Sequence, residues 1–166
     1  MATECERKFL VHGVHWRALV RSSSRYAQGY IRDGDGPTVR VRISAAQAWL
    51  TVKGPTTGIT RAEFEYEIPV ADGQQMLATL CERAPVEKTR HFVDVDGLCW
   101  EIDEFEGANA GLIVAEVELA HADAELNTPP WVGSEVSGVV RYFNAALSVR
   151  PFSQWSALER AELGEQ

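Results

Sequence analysis

Residues 4–11 read Glu4-Cys5-Glu6-Arg7-Lys8-Phe9-Leu10-Val11. In an extended strand side chains alternate between faces, so Glu4, Glu6 and Lys8 share one side. Two carboxylates and an ammonium on one strip suit holding a divalent cation beside a phosphate. Cys5 falls on the opposite side and reads as a small core residue rather than a nucleophile.

The same alternation recurs along the chain. It predicts strands near residues 3–11, 25–32, 37–43, 48–53, 60–68, 86–94, 98–104 and 112–120. Asp33-Gly34-Asp35-Gly36-Pro37 marks a turn between the second and third of these. Gly54-Pro55 ends the fourth, and Asp96-Gly97 makes a tight hairpin between the sixth and seventh. Helices are fewer. A short one is expected over 14–20. A second is expected over 70–83, capped by Asp72, with Met76, Leu77 and Leu80 on one face. A third is expected over 134–147, capped by Ser134, from the spacing of Val136, Val139, Val140 and Phe143. The polar tail after Trp155 reads as a frayed helix. Eight strands in meander order predict a mainly β, α+β fold: a closed antiparallel tunnel or barrel with a few flanking helices.

The strand faces are unusually sorted. Arg40 and Arg42 share a side against Val39, Val41 and Ile43, and Thr51 and Lys53 oppose Leu50 and Val52. Arg61, Glu63, Glu65 and Glu67 oppose Phe64 and Tyr66, and Lys88 and Arg90 alternate with Thr89 and His91. Glu101 and Asp103 oppose Trp100 and Ile102, and Glu116 and Glu118 oppose Ala115 and Val117. One wet face of an antiparallel sheet gives such alternation without any further purpose. Solvated faces usually mix charge signs, however, whereas here like charges repeat two apart and repel each other. That pattern makes sense if cationic pairs grip phosphate oxygens and anionic pairs hold metal ions. With those faces inward, the interior must be wet, because dry charges are costly. The outward face would then be apolar at Val39, Val41, Phe64, Tyr66, Trp100 and Val117. Helices cover part of it, and the rest predicts a homodimer.

Composition agrees with one soluble domain of 166 residues. The net charge of −8 argues against a nucleic-acid polymer as partner, while local charge leaves room for a small anion. Cys5, Cys81 and Cys99 form no CxxC pair, which argues against a disulfide framework or zinc site and for a reducing cytoplasm. There is no apolar signal-like start and no run long enough for a membrane span. Asp33-Gly34-Asp35-Gly36 lacks the Glu that would complete a calcium loop, since Ser44 stands there. His12 and His15 are too isolated to make a metal site.

Taken in order, Glu4-Cys5-Glu6-Arg7-Lys8, Gln28-Gly29-Tyr30, Val39-Arg40-Val41-Arg42, Leu50-Thr51-Val52-Lys53-Gly54 and Glu63-Phe64-Glu65-Tyr66-Glu67 resemble the short bacterial CYTH proteins, or triphosphate tunnel metalloenzymes. Lys88-Thr89-Arg90, Trp100-Glu101-Ile102-Asp103, Ala115-Glu116-Val117-Glu118 and Arg141-Tyr142-Phe143-Asn144 continue the match, with His91 where a tyrosine is expected. The resemblance implies a CYTH domain over 1–155 and a tail over 156–166. It implies divalent metal, Mg²⁺ or Mn²⁺, on Glu4, Glu6, Glu63, Glu65, Asp103, Glu116 and Glu118. It implies triphosphate on Lys8, Arg40, Arg42, Lys53, Lys88, Arg90 and Arg141, with Lys8, Glu4 and Glu6 as the catalytic set. The family includes inorganic triphosphatases, thiamine triphosphatases, class IV adenylyl cyclases and RNA triphosphatases. The expectation is metal-dependent hydrolysis of inorganic tripolyphosphate. A class IV adenylyl cyclase, a thiamine triphosphatase or a non-catalytic polyphosphate or nucleotide binder are the alternatives.

Overall fold

A computed structural model describes residues 3–32 and 36–161, with the side chains of residues 3 and 4 outside that description. The alternating segments are strands: β1 (Thr3–Val11), β2 (Val20–Arg32), β3 (Thr38–Ile43), β4 (Ala48–Lys53), β5 (Thr60–Ile68), β6 (Val86–Val95), β7 (Leu98–Phe105) and β8 (Ile113–Glu118). They pair antiparallel into a ring, in the order β1-β5-β4-β3-β2-β6-β7-β8 and back to β1. A two-residue turn joins β6 to β7, with Asp96 and Gly97 both at positive φ (51° and 79°), which matches the twist of a tight hairpin. The turn expected over 33–37 falls mostly on residues outside those described.

The ring is not a simple meander. β2 pairs with β3 and β6 rather than with β1, and β1 sits between β5 and β8. A 3-10 helix, His15–Leu19, carries the chain away from β1, and its buried Trp16 anchors that crossing. Among the described residues the seam with β5 is made by Thr3, Glu4 and Cys5 of β1, which face Ala62, Arg61 and Thr60. Beyond it, the vacated edge of β1 is taken by a further strand, β9 (Val132–Glu135). An unpaired strand edge is a row of unsatisfied backbone groups, so it recruits any nearby extended segment. That corrects the helix expected over 134–147. Gly138, at φ +86°, also interrupts the helical spacing, leaving a 3-10 turn Val140–Tyr142 and a short helix, α2 (Asn144–Val149).

The helix after β5 is α1 (Val70–Thr79), shorter than expected, and Pro69 rather than Asp72 stands at its N-cap. Asp72 lies in the first turn instead, where a carboxylate favours the helix dipole. The helix packs closely on the sheet at Gly73, where a Cβ would meet Ala48 Cβ at 2.7 Å and Ile43 Cγ2 at 2.9 Å. The tail forms α3 (Ala157–Ala161), tied back by Arg150 to Glu159 at 2.7 Å.

Two apolar clusters hold the ring. On the outer face of β1, β7 and β8, Phe9, Trp100, Val117 and Cys5 are covered by Trp16 and Trp131; the Trp100 ring lies 5.6 Å from Phe9 and 5.4 Å from Trp131. At one end of the ring, Leu10, Val86, Phe105 and Val114 share the parity of the inward charges. Tyr142, Leu147, Phe152 and Trp155 of the C-terminal segment pack onto them. The outer face of β5 keeps Phe64 and Tyr66 exposed. Among the described residues no helix is long and apolar enough to cross a membrane.

Candidate functional site

The strand registers turn the charged strips into one interior. Glu6 faces Glu118 and Lys8 faces Glu116 across β1 and β8; Arg40 faces Thr51 and then Glu65 across β3, β4 and β5. They line a cavity of about 960 Å³. Its lining includes Glu6, Lys8, Arg40, Arg42, Lys53, Glu63, Glu65, Arg90, Glu116 and Glu118 from the expected set, together with Tyr30, Arg61 and Glu101. Charge is divided around the ring. Strands β4, β3 and β6 supply Lys53, Arg40, Arg42 and Arg90, with β2 offering the neutral Tyr30 between β3 and β6. Strands β7, β8, β1 and β5 supply the carboxylates, with Lys8 and Arg61 interleaved.

The two halves are tied by ion pairs. Asp103, with no exposure, accepts both Arg90 Nε and Arg90 Nη2 at 2.7 Å and also binds Lys88. Arg90 reaches Glu116 at 2.6 Å and pairs with Glu101, and Glu116 also binds Lys8. On the other side Glu65 accepts from Thr51 Oγ1 at 2.8 Å, Arg40 at 3.2 Å and Arg42 at 3.2 Å, while Lys53 pairs with Glu63 at 2.8 Å. The Nε atoms of Arg40 and Arg42 are buried and have no acceptor. A buried guanidinium N–H without a partner is costly, so these two arginines carry bonding capacity that Glu65 does not fill.

Electrostatics follow the pairing. Burial disfavours both charges of the Lys8–Glu116 pair. Mutual attraction outweighs it, so Lys8 lies above its ordinary pKa and Glu116 well below its own. Burial would also raise Asp103, but Arg90 and Lys88 hold it below the usual carboxylate range. Lys88 is pushed down to about 8 by burial and by its neighbour Arg90. Burial raises Tyr30 to about 12, so it is a neutral phenol, accepting from Gln28 Nε2 at 2.8 Å.

Some expected residues stand elsewhere. Asp103 and Lys88 lie behind the lining, bonded to residues that form it. Arg141 lies over the Tyr142 ring (5.1 Å) and the Trp155 ring (5.4 Å) rather than on the cavity wall. Glu4 is in register with Arg61, and its side chain lies outside the described residues. His91 faces outward, 5.2 Å from the Trp16 ring and 2.7 Å from Ser23 Oγ. Arg61, Glu101 and Tyr30 were absent from the expected set although strand parity places each on the charged side. Asn144, whose Oδ1 accepts from Lys88 at 3.4 Å, comes from the C-terminal segment, which no strand pattern connects to the site.

The donor set fits a hard divalent cation. Glu6 and Glu118 are paired across two strands, and the lining supplies carboxylate oxygens rather than imidazoles. Among the described residues no three ligating side chains converge on one point.

Replacing Asp103 with Asn leaves Lys88 and Arg90 buried with one counter-charge fewer. The expected loss, read by urea denaturation at pH 7, is about 3–5 kcal/mol. Because the folded state holds Asp103 and Glu116 at lowered pKa, their stabilisation is present above the unfolded carboxylate values. It is lost as pH falls through and below about 4. The denaturation midpoint should therefore drop from pH 7 to pH 3, and by less in Asp103→Asn; an equal drop would remove Asp103 from this linkage.

Comparison with known proteins gives a consistent result. The CYTH domain family model matches residues 2–145. The chain is 43% identical over 155 residues to the inorganic triphosphatase of Acetivibrio thermocellus, covering 93% of this chain and 99% of that protein. It is 36% identical over 151 residues to the inorganic triphosphatase of Nitrosomonas europaea, covering 89% and 97%. The crystal structure of the inorganic triphosphatase NE1496 superimposes with a TM-score of 0.63 at 32% identity, over 90% of this chain and 96% of that one. The Hippeastrum protein HpAC1, 15% identical, shares the fold alone, with a TM-score of 0.59 over 98% and 97% of the two chains. With its closed ring and its inward strips of acid and base, this chain belongs to the CYTH domain family.

Proposed function

We propose that this protein hydrolyses a triphosphate, inorganic tripolyphosphate first among candidates, with Mg²⁺ or Mn²⁺. The observation that carries the reading is the division of one cavity into a cationic half, lined by Lys53, Arg40, Arg42 and Arg90, and a carboxylate half. The two relatives named inorganic triphosphatase, matched over nearly their whole length, support the same activity.

In this reading Arg40, Arg42, Lys53 and Arg90 donate to phosphate oxygens, exchanging part of their bonding to Glu65, Glu63 and Glu101 for the ligand. Asp103, itself bonded by Lys88, holds Arg90 from behind, and Arg141 braces the segment that covers that end of the ring. Glu4, Glu6, Glu63, Glu65, Glu116 and Glu118 are the oxygen donors for metal. Bound metal would neutralise phosphate charge and acidify the attacking water. Lys8, held between Glu116 and Glu6, delivers positive charge to the phosphate from the acidic side. Phosphoryl transfer asks mostly for positioning and charge stabilisation, and these groups supply both.

Phosphate release measured with tripolyphosphate, ATP and thiamine triphosphate, with Mg²⁺ or Mn²⁺ and with EDTA, tests the reading. Turnover of tripolyphosphate that EDTA abolishes is expected; cyclic AMP from ATP would replace it with the cyclase. Glu118→Gln should lower kcat on the order of 10²–10³-fold while the triphosphate still binds. Wild-type activity in that variant would remove Glu118 from the metal site.

Two copies of the chain are proposed to meet through the exposed Phe64 and Tyr66 of β5. Analytical ultracentrifugation should then give a dimer that Tyr66→Glu converts to monomer. A monomeric wild type would contradict this.

A further inference from the structure

Arg42 is held in an unusual way. Its guanidinium carbon lies 5.2 Å from the Tyr26 ring centroid and 5.0 Å from the Trp49 centroid, and the two rings are themselves 6.2 Å apart. Strand register produces this clamp. Trp49 on β4 is directly opposite Arg42 on β3, and Tyr26 on β2 is diagonal to it, because Gln28 is its direct partner. All three side chains share the inward parity. Arg42 lines the cavity, whereas Tyr26 and Trp49 do not.

The clamp addresses two electrostatic difficulties. Burial lowers the Arg42 pKa, and the like charge of Arg40 lowers it further. Aromatic faces carry negative potential and attract a desolvated guanidinium, so they offset both. They also restrict where it can swing, since both rings flank the guanidinium on one side and leave the other side for acceptors. Here one edge meets Glu65 through Nη2 at 3.2 and 3.3 Å, and the buried Nε has no acceptor. Arginine is a rotamer-rich side chain.

We propose that Tyr26 and Trp49 are positioning residues that hold Arg42 in place for a phosphate oxygen, and so set the affinity for the triphosphate rather than the rate of its cleavage. This rests on the phosphate-binding role given to Arg42 above. The rings lie off the cavity lining, so their effect passes through one guanidinium.

A double-mutant cycle tests the idea, using tripolyphosphate and Mg²⁺ with wild type, Trp49→Leu, Arg42→Met and the double variant. Trp49→Leu should raise KM about tenfold, with kcat within about twofold. In the Arg42→Met background it should have no further effect on KM. Tyr26→Leu should behave like Trp49→Leu, and Tyr26→Phe, which keeps the ring face, like wild type. Additive effects of Trp49→Leu and Arg42→Met, an unchanged KM, or a loss confined to kcat would overturn the proposal. Should Trp49→Leu fail to fold, Tyr26→Leu completes the same cycle. A wild type that turns over no triphosphate would refute the proposed activity alone. The cycle is then read from tripolyphosphate affinity by calorimetry, where coupling between Trp49 and Arg42 upholds the clamp and its absence rejects it.

Discussion

The Asp103 carboxylate, fully buried and bonded at once to Arg90 and Lys88, is the interaction on which the site depends. A ring of this size could have been filled with aliphatic side chains. Instead it surrounds cations that burial penalises, and each such cation must carry a counter-charge to stay inside. Asp103 supplies one from behind the lining, and Glu116 supplies another from within it, shared between Lys8 and Arg90. The pairing sets Arg90 at the junction of the two halves, where phosphate and metal would meet. The folded chain thus holds the charges of the site in place before any ligand arrives, which is the preorganisation that phosphoryl transfer calls for.

The same logic explains how acid and base divide around the ring. Mixed signs on every strand would pair off locally and leave nothing to bind. Here the cationic strands β4, β3 and β6 lie on one side, with β2 among them. The acidic strands β7, β8, β1 and β5 complete the circle. Pairing then runs partly across the boundary, as from Arg40 and Arg42 to Glu65, at distances that an incoming phosphate oxygen can compete with. The organisation is one of substitution, in which the ligand takes over partners the protein already holds.

Much of this was legible in the sequence because strand parity is a local property. Arg40 and Arg42, Glu63 and Glu65, and Glu116 and Glu118 could be assigned to one face from a period of two, and the structure puts each pair on the inner wall. Connectivity was not legible in the same way. That β1 lies between β5 and β8, and that residues 132–135 complete its edge, depends on which backbone edges remain open after closure. The valines after Val132 suit a helix by spacing, and only the edge of β1 and the turn at Gly138 decide otherwise. Arg141 matched a motif, yet it is held by Tyr142 and Trp155. Stacking of that kind comes from tertiary packing, which no pattern of charges reveals.

The positions a triphosphate and its metal take up inside the ring are the most direct test of how the site works. A crystal structure of the protein with tripolyphosphate and Mn²⁺, with the metal located by anomalous scattering, should show phosphate oxygens on the guanidinium groups of Arg40, Arg42 and Arg90 and on Lys53. Manganese should lie against Glu6 and Glu118 inside the ring. Phosphate or manganese bound outside the ring, with the Arg40, Arg42 and Arg90 ion pairs undisturbed, would contradict it.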